Sequence, residues 1–135
     1  MSDPTDPVAW VARAEEDYLV MRLSLAHDPP LTYSACFHAQ QSAEKYLKAI
    51  LVARGQVFPK THDLRQLLNL CERGGIDFPV ELDRADTLSF YAVRTRYPGD
   101  DPMLEEAEEA EATASYIRRI ARSLLDLPNR DEERE

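Results

Sequence analysis

The chain has 135 residues, the span of one compact domain, and no run of it approaches the roughly 20 apolar residues that a bilayer crossing needs. Sixteen Lys and Arg against 25 Asp and Glu leave a formal charge of −9, so the chain as a whole has no electrostatic pull toward nucleic acid or anionic membrane. Four glycines against nine prolines supply little of the turn chemistry that a multi-stranded sheet demands, and an all-α fold is expected.

In chain order, Asp6 and Pro7 read as an N-cap and a first helical residue. Trp10, Val11, Ala14, Tyr18, Met21 and Leu25 then recur at helical spacing until Pro29 and Pro30 stop them. A second helix runs from Thr32 through Cys36, Phe37, Ala43, Leu47, Ile50 and Leu51 to Gly55. Thr61 is the expected N-cap of a short third helix over 62–73, carrying Leu64, Leu67, Leu68 and Cys71 and closed by Gly74 and Gly75. Asp77 and Pro79 open a fourth segment with Leu82, Ala85, Leu88 and Tyr91. Its pattern fades in RTRYPGDDP, which reads as a loop. Asp101 and Pro102 repeat the cap-then-proline signal for a fifth helix, acidic in its first turns and basic toward its end, and Pro128 ends it.

The expectation is one domain over 1–127, an antiparallel bundle of about five helices: a four-helix up-and-down core plus a short helix. A disordered acidic tail at 128–135 follows. Only residues 36–73 carry a net positive charge. Cys36 and Cys71 fall on apolar stripes without a disulfide framework or a metal spacing, and the N-terminus has no export signal, which places the chain in the cytoplasm. No cofactor and no metal site are expected.

The second helix reads as amphipathic, with Cys36, Ala43, Leu47, Ile50 and Leu51 inward and His38, Gln41, Ser42 and Lys45 outward. Gln40 breaks this pattern by lying on the apolar side, with Glu44 and Lys48 rising beside it over the next two turns. The plain reading is a satisfied core amide and an ordinary i,i+4 ion pair; the functional one is the polar wall of a pocket or of a dimer seam. Arg94, Arg96 and Tyr97 place two guanidinium forks beside an aromatic ring, a set suited to gripping a phosphate and stacking a base, although loop arginines also pair with a protein's own carboxylates. His62, next to the expected cap, is a hydrogen-bonding support or an acid/base group.

CFHAQQSAEKYLKAIL at 36–51, THDL at 61–64 and RTRYP at 94–98 together resemble the HEPN domain family, over about residues 7–127. The resemblance implies a helical bundle that pairs as a homodimer, is often encoded beside a minimal nucleotidyltransferase, sometimes as a toxin-antitoxin pair, and has a nucleotide-binding role. Many similar proteins are metal-independent endoribonucleases that use an arginine, four to six intervening residues and a histidine near the last helix. Here no histidine follows Arg94 or Arg96, the three being His27, His38 and His62; Arg22 and His27 have the spacing but stand at the end of the first helix.

The resemblance therefore points to a non-catalytic or degenerate member that binds a nucleotide, an RNA or a partner nucleotidyltransferase through Gln40, Glu44, Lys48, His62, Arg94, Arg96 and Tyr97. The alternatives are an endoribonuclease toxin with a nonstandard site, such as His62 with Arg94 or Arg96, and a structural adaptor whose polar stripe sets a dimer register.

Overall fold

A computed structural model describes residues 3–92 and 98–129. Among them are five α-helices and no strand: α1 (Pro7–Ala26), α2 (Thr32–Ala53), α3 (Leu64–Arg73), α4 (Leu82–Ser89), with a 3-10 turn at Phe90–Ala92 after it, and α5 (Leu104–Leu124). None of these helices is long and apolar enough to cross a membrane. Arg94, Arg96, Tyr97 and the expected tail from 130 onward lie outside the described residues.

The start of α1 is the expected one. Asp6 caps it by accepting from Val8 N at 2.9 Å, and Pro7 occupies the first turn, where a missing N–H costs nothing. Three other starts move. Asp63, not Thr61, caps α3 by accepting from Arg65 N at 3.0 Å, while the Thr61 hydroxyl accepts from Asp63 N and shapes the approach. His62 consequently stands in the loop before the helix. Asp63→Ala should lower stability by about 1 kcal/mol and Thr61→Ala by less, checked by urea melts of the two variants. α5 begins at Leu104 rather than after Asp101, because Glu106 Oε1 reaches back to accept from Met103 N at 2.8 Å. α4 begins at Leu82, five residues past Asp77.

α2 is the hub, packed against α1, α3, the 3-10 turn and α5. The pairs Ser24–Ser34 and Glu15–Tyr46 run α1 antiparallel to α2, and Tyr18–Ser115 and Glu15–Arg118 run it antiparallel to α5. The expected outward face of α2 is corrected by this packing. Ser42 is fully buried and no α2 residue from Ser34 to Leu51 is exposed, since α1 covers the side that carries His38, Ser42 and Lys45. The core joins Met21, Tyr46, Leu47, Ile50, Leu51, Leu64, Leu67, Leu88 and Ile117. The small Ala107, Ala110, Ala114 and Ala121 on α5 let it approach α2 closely. Cys36 and Cys71 are both buried and not joined to each other, and burial pushes the Cys71 thiol up to about 11.

Candidate functional site

Four of the seven expected site residues converge. Gln40, Glu44 and Lys48 follow one another by a helical turn on α2, and the loop before α3 brings His62 onto them. Glu44 Oε1 accepts from Gln40 Nε2 at 3.0 Å and from His62 Nδ1 at 2.8 Å, while Oε2 accepts from Lys48 Nζ at 2.9 Å. Gln40 Nε2 also donates to the His62 carbonyl at 3.2 Å, and its Oε1 accepts from Gln41 Nε2 at 2.6 Å. The Gln40 amide is therefore satisfied within its own helix and by the loop, not by a partner helix.

Glu44 is 3% exposed. Burial alone would raise its pKa, but hydrogen bonds from Gln40, Lys48 and His62, with the Lys48 charge, outweigh it and hold the carboxyl below its ordinary value. Lys48 is enclosed from the other side: its ammonium lies 5.7 Å from the Trp10 ring centre and 5.8 Å from that of Phe58, and the two rings meet edge to face at 6.1 Å. Lys48 is thus engaged by Glu44 on one side and flanked by these rings on the other.

His62 is the member of this group that reaches solvent, its side chain being 59% exposed. An ionised carboxylate can only accept, so Nδ1–H is the donor to Glu44, and the remaining ring nitrogen, Nε2, is left for a ligand. The ring borders an open hollow with Lys60, Thr61, Ser89 and Phe90 on its walls. Asp86 also lines it but is held by a two-pronged Arg65 contact, Nε to Oδ1 at 3.0 Å and Nη2 to Oδ2 at 2.8 Å. Phe90 is half exposed and offers an aromatic surface beside the imidazole.

Two further polar clusters escape a reading of the sequence. Asp17 on α1 accepts from His38 Nδ1 at 2.9 Å and also from Lys45 Nζ, joining residues 21 and 28 positions away. Its one signal in the sequence is an aspartate on the same side of α1 as Ala14 and Met21. Arg118, 5% exposed, forks onto Glu15 at 2.7 and 3.0 Å and lies 4.5 Å over the Tyr18 ring. Tyr46 OH donates to Glu15 and accepts from Arg122 at 3.0 Å. Burial and the Glu15 charge push the Tyr46 phenol well above its ordinary value, so it stays protonated. Both clusters tie α1 to its neighbours. Among the described residues no group of three or more His, Cys, Asp or Glu is disposed to hold a metal ion.

No curated protein matches the sequence. A solved structure that does match is that of TT1696 from Thermus thermophilus, at 29% identity and a TM-score of 0.67, over 87% of this chain and 97% of that one. The sequence model of the HEPN domain matches residues 8–124, which takes in α1 through α5 and the whole Glu44–His62 cluster. On that span, the chain belongs to the HEPN domain family.

Proposed function

We propose that this protein is a non-catalytic, homodimeric HEPN protein that binds a nucleotide, and through it or beside it a partner nucleotidyltransferase, as half of a toxin-antitoxin pair. The observation that carries this reading is the His62 imidazole, presented at an open hollow while a buried, ionised Glu44 fixes it from behind. A ring held in one orientation loses little freedom on binding, which favours recognition. Phe90 supplies a surface on which a base can stack, and the chain continues two residues beyond Ala92 into Arg94, Arg96 and Tyr97, two guanidinium groups and a phenol suited to phosphate. The lack of any histidine after His62 supports binding over catalysis.

A second reading has its own observation. A carboxylate holding Nδ1–H of a histidine is the arrangement of a general base, so Glu44 and His62 could serve a metal-independent endoribonuclease. One experiment separates the two. The purified chain, expected at about twice 15.4 kDa by light scattering, is incubated with RNA in EDTA and titrated calorimetrically with nucleoside monophosphates. Heat of binding that is lost in His62→Ala, with the RNA intact, supports the binding reading. Metal-free cutting that disappears in His62→Ala replaces it with the nuclease.

A further inference from the structure

α1 is apolar on both of its sides. Inward it buries Ala14, Tyr18 and Met21, and outward Val8, Leu19 and Leu23 are each more than half exposed, with Ala12 and Ala26 exposed beside them. At 100° per residue these five outer positions and Glu16 fall within about 80° of one another, a single stripe turned away from the core. A helix at a protein surface ordinarily shows a charged face to water, and one that is apolar all round is covered. Val57, Phe90 and Met103, the other large apolar side chains at least half exposed among the described residues, stand in a loop, a turn and a helix cap.

The surface continues onto α5. Tyr18–Ser115 and Glu15–Arg118 hold the two helices side by side, both packed on α2, and α5 exposes Glu108, Ala112, Tyr116 and Arg119 on the stripe opposite its buried alanines. Each helix is about 30 Å long and about 10 Å across, so the pair presents a footprint of about 600 Å², close to the roughly 800 Å² that each partner gives to a stable interface. Charge runs along this surface in one direction. The half of α5 up to Ala114 has five glutamates and no cation, and the half after it has three arginines and no acid. A two-fold axis across the helices lays each acidic end over the basic end of a second copy, whereas an axis along them lays like on like. The pattern is complementary to itself, which singles out a second copy as the occupant.

We propose that the α1–α5 surface pairs with the same surface of a second copy, the two α1 helices meeting antiparallel near Leu19 and the two α5 helices antiparallel between Ala112 and Tyr116. Leu19 then meets its own copy at the axis, Leu23 and Tyr116 widen the apolar centre, and Arg119 stands opposite Glu108 of the partner copy. Ala12 and Ala26, seven residues to either side of Leu19, face each other across the pair and let the helices approach closely. This rests on the homodimer of the reading above and says where it forms. The His62 hollow has no lining residue on either helix.

The test is the mass of the full chain by light scattering across micromolar concentrations. Wild type is expected at twice 15.4 kDa, and Leu19→Glu and Leu23→Glu at 15.4 kDa with the helical circular dichroism of the wild type. Val57→Glu, the same change at an exposed loop site, should stay at the wild-type mass. Glu108→Arg makes the acidic chain less charged and so eases general repulsion, yet it should weaken the dimer about tenfold by setting cation against cation. Arg119→Glu should weaken it likewise, and the double variant, which has the wild-type net charge, should restore it. A dimer that survives both leucine variants overturns the surface while the homodimer stands. Glu108→Arg that strengthens the dimer, or a double variant as weak as its parents, overturns the antiparallel pairing. A wild type of 15.4 kDa at every concentration overturns this assignment and the homodimer together.

Discussion

Glu15→Ala is expected to destabilise the protein by about 3 kcal/mol, the low end of the range for removing one partner of a buried ion pair. The variant leaves the guanidinium of Arg118 without its fork contact, although Arg118 is 5% exposed. The loss stays at the low end because the Glu15 site is itself about a third open, so water can reach the guanidinium. Tyr46 loses an acceptor and Arg122 an ion pair at 3.7 Å at the same time. Arg118→Met removes the buried charge instead and keeps a side chain to cover the Tyr18 ring, so it should cost clearly less. The double variant Glu15→Leu, Arg118→Met should recover most of the loss, because an apolar pair of similar volume replaces an ion pair at little net cost. Urea melts of the four proteins check this. Additive losses would mean that Glu15 and Arg118 do not act as a pair.

How legible such features are in the sequence follows from how far apart their members stand. Gln40, Glu44 and Lys48 can be grouped because one helical turn separates each from the next. Glu15 and Arg118 are 103 residues apart, and nothing in the periodicity of either helix names the other. α2 shows the limit of pattern reading most clearly. Its contrast between apolar and polar faces suggests a solvated side, but α1 lies on that side and answers three of its polar groups with its own: Asp17 for His38 and Lys45, Ser24 for Ser34. Polarity along a helix reports which groups need partners, and the packing decides whether the partner is water or protein.

Helix starts divide in the same way. The Asp6–Pro7 signal marks the true start of α1 because the side chain and the ring act on the same first turn. The same pair at Asp101–Pro102 does not start α5, since Pro102 is buried and Glu106 supplies the bond to Met103 instead.

The largest single effect is expected from Glu44→Ala, at about 3 to 5 kcal/mol, on the order of 10 °C in melting temperature. Lys48 would keep only the rings of Trp10 and Phe58 around a buried ammonium, and Gln40 and His62 would each lose an acceptor. The same carboxylate sets a pH dependence whose sign is fixed. The Glu44 pKa in the folded protein lies below the ordinary 4.5, so its contribution is fully present above that value and is lost as pH falls through the folded pKa. Glu44→Gln cannot titrate, so the stability gap between wild type and Glu44→Gln should be widest near pH 7 and should narrow below pH 4.5 as wild-type Glu44 takes up its proton. Some acid sensitivity must survive in the variant, because Glu15 is also held below its ordinary value by Arg118 and Tyr46 against the opposing effect of burial. Paired urea melts at pH 7 and pH 3 measure the gap. If it is the same at both, the Glu44 carboxylate is not the charge that holds Lys48 and the His62 loop in place.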